Sequence, residues 1–98
     1  MTDSLGVSPR QIAGFSLGAI VVDRRSSRKL TSEDIIPALG RHINGDWGRI
    51  NRQHKRANQA ALCRNKPIKS IYFTSNGVKF CVVTNGQRTA TIVKVLQA

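Results

Sequence analysis

The sequence predicts an α+β domain with the element order β-α-α-β-β-β, in which a first strand and two helices precede a three-stranded antiparallel meander and the helices pack on one sheet face. About the last thirty residues contain three apolar, β-branched runs separated by two Asn-Gly pairs. Before them lie two segments whose apolar positions have helical spacing. We expect a flexible leader at residues 1–13. Because 98 residues suffice for only one core, we expect a single domain at residues 14–98.

The first strand is expected between Gly14 and Asp23, where an apolar run ends in the β-branched residues Ile20, Val21 and Val22. This run is much shorter than the ~20 residues that span a bilayer, and no signal-peptide pattern surrounds it. We therefore expect no membrane partner and a cytoplasmic location, where cysteines stay reduced by default. The two cysteines are Cys63 and Cys81.

Four cations and two serines follow the first strand within six residues. Such a segment cannot contribute to a core and is typical of an exposed loop. Two interpretations remain open, an ordinary solvated connection and a flexible clamp for phosphate groups. The four cations of this basic loop are Arg24, Arg25, Arg28 and Lys29.

The first helix is expected to open within the segment 31–34, since hydroxyls and carboxylates satisfy free helix N–H groups and favour the positive end of the dipole. With Asp34 as the N-cap, Pro37 falls in the first turn, where its missing N–H costs nothing. Asn44 and Gly45 predict the end of this helix.

A second helix is predicted from about Ile50 to Cys63, before Pro67. Its expected buried stripe consists of Ile50, His54, Ala57 and Ala61. The opposite side forms a single basic face, with one further arginine at its start. The cations of this basic face are Arg49, Arg52, Lys55 and Arg56.

Three strands are predicted at residues 68–75, 78–84 and 89–96. The pairs Asn76-Gly77 and Asn85-Gly86 separate them. Asn-Gly is the strongest short signal for a hairpin with a type I′ turn, which needs positive φ at both central residues. Two such turns predict a three-stranded antiparallel meander, and the first strand can add at an edge.

Charge is the main functional signal, because sixteen lysines and arginines against five acids give a formal net charge of +11. A small domain that is merely soluble usually carries a charge of magnitude about 2–8. A larger positive charge attracts phosphate-rich polymers over a long range. We therefore expect nucleic acid or a nucleoprotein as the partner, bound through the basic loop and the basic helix. The modest core also leaves room for a homodimer.

His42 and Asp46, beside Trp47, form the local acid–base constellation that most resembles a catalytic site. We expect a structural role instead, in which the carboxylate satisfies loop or helix N–H groups and the indole packs over the first helix. The sequence contains no Cys-x-x-Cys pair and no glycine-rich phosphate loop. It therefore predicts no metal site, no cofactor and no enzymatic activity.

Several short segments occur in a fixed order along the chain. They are 18–21, 39–42 followed by 45–48, Asn58 and Ala61, 70–72, 77–80 and 88–91. Together they resemble a group of small bacterial proteins carried on plasmids and other mobile elements, which is marked by an Arg-His…Gly-Asp-Trp-Gly signature and a later Thr-x-x-x-Arg-Ser/Thr-x-Thr segment. The resemblance spans about residues 15–95 and implies a habitat rather than an activity.

This chain departs from that group in charge. Group members tend to be acidic around the second helix, with Trp in the middle strand and Glu after its closing Thr. Here the second helix carries cations, and Cys81 and Asn85 occupy the other two positions. The inverted charge directs attention to the second helix.

We hypothesise a non-enzymatic basic binding protein of a phage, plasmid or other mobile element, which contacts nucleic acid or a nucleoprotein. The alternative is an antagonist of a host defence system, such as an anti-CRISPR or anti-restriction protein, that binds the effector complex. Mobile elements encode such small antagonists, and the partner in that case is a host defence effector.

Overall fold

The computed structural model describes residues 14–96, so the leader predicted at residues 1–13 lies outside the described residues. The elements in chain order are β1 (Ala19–Val22), a 3-10 helix (Ser26–Arg28), α1 (Ser32–Ile43), α2 (Arg52–Arg64), β2 (Ile68–Phe73), β3 (Lys79–Thr84) and β4 (Ala90–Val95). The predicted α+β class and its two helices are confirmed. The short 3-10 helix in the basic loop was not predicted.

The sheet is four-stranded and mixed, with the strand order β1-β4-β3-β2. β2, β3 and β4 pair antiparallel in succession, whereas β1 pairs parallel to β4, with Ala19 opposite Ala90 and Val22 opposite Val93. The predicted three-stranded antiparallel meander is therefore part of a larger mixed sheet, because β1 adds parallel to β4 at the edge. The direction of β1 depends on the long path of the chain through both helices, which local alternation does not encode.

β1 is shorter than the strand predicted over residues 14–23. Its pairing starts where the Ala19 N–H donates to the Thr89 carbonyl at 2.9 Å. Gly18, just before it, has φ +64° and lies so close to the Thr89 backbone that a Cβ would overlap it. A glycine is required at the point where the chain enters the sheet.

Both Asn-Gly pairs lie in hairpin loops, but the predicted type I′ turns are wrong. Gly77 has φ +88°, and its N–H donates to the Thr74 carbonyl at 3.0 Å. In the second loop Arg88 takes the positive φ, +60°, and its N–H donates to the Asn85 carbonyl at 3.1 Å. Both loops are longer than a two-residue connection, and each uses one left-handed residue where a type I′ turn uses two.

The free edge of β2 is covered by backbone and side-chain groups. The Ile71 N–H donates to the Trp47 carbonyl at 3.1 Å, and the Ile71 carbonyl accepts the Arg49 N–H at 2.8 Å. Asn58 of α2 bonds both backbone groups of Lys69, accepting its N–H at 3.2 Å and donating to its carbonyl at 2.8 Å. These bonds satisfy edge groups that an open strand would expose, and they fix α2 beside β2.

α1 begins earlier than predicted, because Thr31 rather than Asp34 is its N-cap. The Thr31 N–H donates to the Asp34 carboxylate at 2.9 Å, as in a capping box. Pro37 therefore lies inside the helix, beyond the first turn, where its ring removes one backbone hydrogen bond. The helix ends at Ile43, directly before the predicted stop.

α2 begins at Arg52 rather than Ile50, because the Asn51 side chain accepts the His54 N–H at 2.7 Å and caps the helix. Its buried residues are Asn58 and Ala61. Ala57, predicted to be buried, is exposed. Ala61 is buried as predicted, and Asn58 takes the buried position expected of Ala57, with its amide bonded to the edge of β2.

Both helices pack on the same face of the sheet, which we call the inner face. Ala38 of α1 joins a buried cluster with the strand residues Tyr72, Phe80, Val82 and Val93. A second buried cluster contains Trp47, Ala61 of α2 and Ile68 of β2. The opposite side of the sheet, which we call the outer face, carries neither helix.

Gly40→Ala is expected to raise the free energy of unfolding by about 0.5–1 kcal/mol. Gly40 lies inside α1, and nothing lies within 4 Å of the position that a Cβ would take. The gain comes from the lower backbone entropy of alanine in the unfolded chain. Urea denaturation measures it, and unchanged or reduced stability would contradict the expectation.

Candidate nucleic-acid interface

The basic loop is a structured turn held by a buried serine. Ser26 is 2% exposed, and its hydroxyl oxygen accepts the Val95 N–H at 2.7 Å. The same hydroxyl donates to the Asp23 carboxylate at 3.3 Å, and the Ser27 hydroxyl donates to the Arg24 carbonyl at 2.7 Å. The loop is thereby tied to the end of β4, so its backbone is more ordered than a flexible clamp would require.

All four cations of the basic loop are exposed around one shallow hollow. Its volume is about 450 Å³, and the described residues that line it are Arg24, Arg25, Arg28 and Lys29. Four positive charges around one hollow repel each other in the unbound protein. An anion placed there relieves that repulsion, so the arrangement favours phosphate or carboxylate ligands.

The basic face of α2 lies at the wrong end of the helix for helix stability. Arg52, Lys55 and Arg56 occupy the first turns and are exposed, and no acid is present in the first turn. The amino end of a helix is positive, so acids there stabilise it and cations there cost about 0.3–1 kcal/mol each. Dipole and side chains instead add up to a positive potential that attracts anions.

Arg49 belongs to the edge of the sheet and not to the helix. Gly48, with φ +73°, lies against the Ile71 carbonyl so closely that a Cβ would overlap it. This approach lets Arg49 pair with β2, and its guanidinium lies 5.5 Å from the centre of the Phe73 ring. The prediction that Arg49 starts the basic helical face is corrected: it connects that face to the outer face of the sheet.

The two groups of cations predicted from the sequence lie at opposite edges of the sheet. The basic loop follows the edge strand β1, and α2 is bonded to the other edge strand, β2. Three strand spacings separate these edges, about 14 Å. One extended ligand can reach both, but they do not form a single patch.

His42 is fully buried and takes part in a chain of hydrogen bonds through the core. Its Nδ1 lies 2.5 Å from the Ser70 hydroxyl, and its Nε2 lies 2.9 Å from the Thr84 hydroxyl. The Thr84 hydroxyl lies 2.7 Å from that of Thr91, which donates to the Leu17 carbonyl at 2.7 Å. The chain ties α1, three strands and the segment before β1 together.

The direction of these bonds determines the protonation of His42. Because Thr91 gives its proton to a carbonyl, its oxygen must accept from Thr84, and Thr84 must then accept from the imidazole. The proton of the neutral ring therefore lies on Nε2, and Nδ1 accepts from Ser70. Burial, together with the positive charge of Arg88, lowers the pKa of His42 to about 4. The imidazole is neutral at pH 7 and is not accessible from the protein surface.

His42 and Asp46 form no acid–base pair, because each bonds elsewhere. Asp46 makes a two-pronged ion pair with Arg41, at 2.8 and 3.2 Å, which lowers the pKa of the carboxyl. Asp46 also accepts the Gly48 N–H at 3.4 Å. Trp47 is buried beside α2 and β2, with Ala61 and Ile68, and not over the first helix as predicted. All three residues take structural positions.

Residues 14–18 match the Gly-x-Ser-x-Gly spacing of a nucleophile elbow, a pattern that the motif search passed over. An elbow needs a strand-to-helix turn, whereas this segment leads into β1. The Ser16 hydroxyl accepts the Gly18 N–H at 3.2 Å, and both nitrogens of His42 are bonded to other residues. The match therefore carries no catalytic geometry.

Within residues 14–96 no group of three or more His, Cys, Asp or Glu side chains is placed to hold a metal ion. In the same range no helix has the length and apolar character needed to cross a bilayer.

Burial raises the pKa of Tyr72 to about 12, and its hydroxyl donates to the Asp46 carbonyl at 2.6 Å. The tyrosine is therefore protonated at neutral pH and serves the fold.

The outer face of the sheet is a second cationic surface. Lys69 and Lys79 share it, because Lys69 pairs with Val83 and Phe73 pairs with Lys79. Lys94 joins them opposite Cys81. Phe73, 47% exposed, lies on the same face and had no predicted role. The register of the hairpin, which brings Phe73 beside Lys79, was the available signal.

The described residues form a small basic α+β protein with three groups of exposed cations, on α2, on the basic loop and on the outer face. No family model, curated protein or solved structure matches the chain. The resemblance to mobile-element proteins stays a prediction.

Proposed function

We propose that this protein is a non-enzymatic nucleic-acid-binding protein whose principal contact is the basic amino end of α2, with the basic loop as a second contact. The observation that carries the proposal is the grouping of the exposed cations Arg52, Lys55 and Arg56 on the first two turns of α2, whose first turn contains no acid. The first turn of α2 contains no acid that could pair with these cations. They are free to neutralise phosphates, which releases counterions and drives binding.

The net charge supports the same partner. Four of the five acids fall within the described residues, and Asp34 and Asp46 are engaged in a cap and an ion pair. Most of the sixteen cations therefore remain available to a polyanion. We propose cytoplasmic duplex or single-stranded nucleic acid, free or in a nucleoprotein, as the ligand, in the setting of a phage or plasmid.

Arg52→Glu/Arg56→Glu is expected to weaken binding of fluorescein-labelled DNA at least tenfold at ~50 mM salt and to lower the slope of log K against log salt by about two. Both side chains are exposed and one turn apart, so the fold stays intact. Fluorescence anisotropy across a salt series measures the binding, and circular dichroism checks the fold.

Arg64→Glu/Lys66→Glu is the matched control, since it changes the net charge equally at the other end of α2. It should weaken binding much less than the test pair. Equal losses would mean that net charge alone drives binding, against the proposed contact. Wild-type protein that binds neither duplex nor single strand at ~50 mM salt would contradict the whole proposal and favour an acidic protein surface, such as a host defence effector, as the partner.

The basic loop is tested separately by Arg24→Glu/Lys29→Glu. If it contributes phosphate contacts, this pair lowers the affinity and the salt slope further when combined with the α2 pair. Wild-type affinity in the loop variant would favour the other interpretation, an ordinary solvated connection.

A further inference from the structure

The outer face of the sheet combines exposed apolar side chains with cations between them. Phe73 and Ile92 are each 47% exposed and Val21 is 50% exposed, which is unusual for three large apolar residues on one sheet face. In register, Val83 lies between Lys69 and Ile92, Cys81 adjoins Lys94, and Phe73 adjoins Lys79. None of the four strands contains an acid.

We propose that the outer face binds single-stranded nucleic acid, with Phe73 as a stacking platform for a base and Lys69, Lys79 and Lys94 as phosphate contacts. The inference rests on the proposed function and names the form of nucleic acid that the protein prefers. A base needs an accessible flat surface for stacking, which an unpaired strand can use and a duplex cannot offer. Phe73 is the aromatic side chain that the sheet exposes, since Trp47 and Tyr72 are 5% and 3% exposed.

Arg49 makes Phe73 a better platform and connects it to the basic end of α2. Its guanidinium lies 5.5 Å from the ring centre at the edge of β2, next to the start of α2. A planar guanidinium stacks on bases as well as on phenyl rings. A nucleic-acid strand that passes from Phe73 around this edge of the sheet therefore meets Arg49 and then Arg52. This path connects the outer face to the principal contact on α2.

The spacing of the lysines suits a flexible strand. Lys79 and Lys94 lie on adjacent strands and two positions apart, since Lys94 pairs with Cys81. Strand spacing and rise place their Cα atoms about 8 Å apart. Lys94 lies opposite Cys81 on one side, and Lys69 lies two positions from the residue opposite Cys81 on the other, so both lysines flank the centre of the face.

Charge decides against two other occupants of this face. A second copy of the chain would bring the lysines of one outer face against those of the other, with no strand acid to pair them. A neutral lipid surface offers no net anionic charge to the lysines that lie between the apolar side chains. An unpaired nucleic acid satisfies both groups, because its bases cover the apolar surface while its phosphates meet the cations.

The test compares binding of fluorescein-labelled oligothymidylate and of a labelled DNA duplex by anisotropy. Phe73→Ala should weaken oligothymidylate binding about tenfold and leave duplex binding within about twofold. Lys79→Ala/Lys94→Ala should weaken oligothymidylate binding and reduce its salt slope by about two. Ile36→Ala, which removes an apolar side chain that is 67% exposed on α1, is the matched control for Phe73 and should bind as wild type.

Four outcomes would overturn the inference. If Phe73→Ala binds oligothymidylate as well as Ile36→Ala does, Phe73 is not a stacking platform. The proposed function still holds in that case if Arg52→Glu/Arg56→Glu loses binding. Wild-type protein that binds neither form removes both proposals. If Phe73→Ala instead abolishes a dimer seen by sedimentation, or abolishes binding to phosphatidylserine vesicles, without affecting oligothymidylate, then a second copy or a lipid surface occupies the face.

Discussion

Acidification from about pH 6.5 to about pH 4 is expected to lower the free energy of unfolding by about 3 kcal/mol through His42 alone. Burial and the nearby Arg88 hold the pKa of this imidazole at about 4 in the folded chain, against an ordinary value of 6.5. The unfolded chain therefore binds the proton first as the pH falls. Stability is complete above pH 6.5 and is lost progressively down to about 4.

The geometry of the network gives the same sign. Protonation would place a second N–H on His42 at Nδ1, which now accepts a hydrogen bond from Ser70. Ser70 would have to reverse its hydroxyl, and a buried cation would remain close to Arg88. The pKa of Asp46 is also lowered, by its ion pair with Arg41, so the loss of its contribution falls below the range of His42.

Urea denaturation at several pH values between about 4 and 7 measures this dependence. His42→Gln should flatten it, at a cost in stability at pH 7. Where His42→Gln does not fold, the ring protons of His42 in wild-type protein report its pKa directly by NMR. Titration of His42 near 6.5 would contradict the prediction.

Arg88→Ala is expected to lower the free energy of unfolding by about 2–4 kcal/mol. The Arg88 guanidinium donates to three backbone carbonyls, those of Ala61, Lys66 and Asn85, each at 2.8 Å. It also lies 5.4 Å from the centre of the Phe15 ring. One side chain thereby holds the carboxyl end of α2 against the loop between β3 and β4, and its loss leaves these carbonyls without their charged donor.

Comparison of Arg88→Gly with Arg88→Ala distinguishes the stability lost with the side-chain hydrogen bonds from the cost of backbone strain at this position. Arg88 has φ +60°, a left-handed conformation that costs a residue with a Cβ about 1 kcal/mol. Both variants lose the same hydrogen bonds, but glycine also relieves the strain, so Arg88→Gly should be more stable than Arg88→Ala by about 1 kcal/mol. Arg56→Ala, an exposed arginine on α2, should change stability by less than about 0.5 kcal/mol. Equal stability of the three variants would show that Arg88 is an ordinary surface residue.

The sequence predicted those elements whose signals are local. Apolar periodicity located both helices, and β-branched runs located the strands, because burial of one face imposes these periods wherever an element lies. Charge counting marked the cations of the basic loop and of α2 as exposed, since such side chains rarely enter a core. The caps were less accurate: Thr31 and Asp34 share one capping box, and either residue alone fits the N-cap preference.

Register and long-range contact lay beyond local reasoning. Asn58 is buried because its amide reaches the edge of β2, a partner eleven residues away. Arg88 adopts positive φ two residues after Gly86, and two distant carbonyls, those of Ala61 and Lys66, hold its guanidinium. Neither residue has a local pattern that distinguishes it from an ordinary polar surface residue.

The amino-acid sequence by itself determined the class of the fold and a surplus of positive charge, since composition and periodicity are properties of short segments. Only the tertiary structure decided where that charge lies. Strand order placed the basic loop and α2 at opposite edges, and register collected Lys69, Lys79 and Lys94 on the open face that also carries Phe73. The physical reason is that a surface is built from residues distant in sequence, whose neighbours depend on how the strands pair.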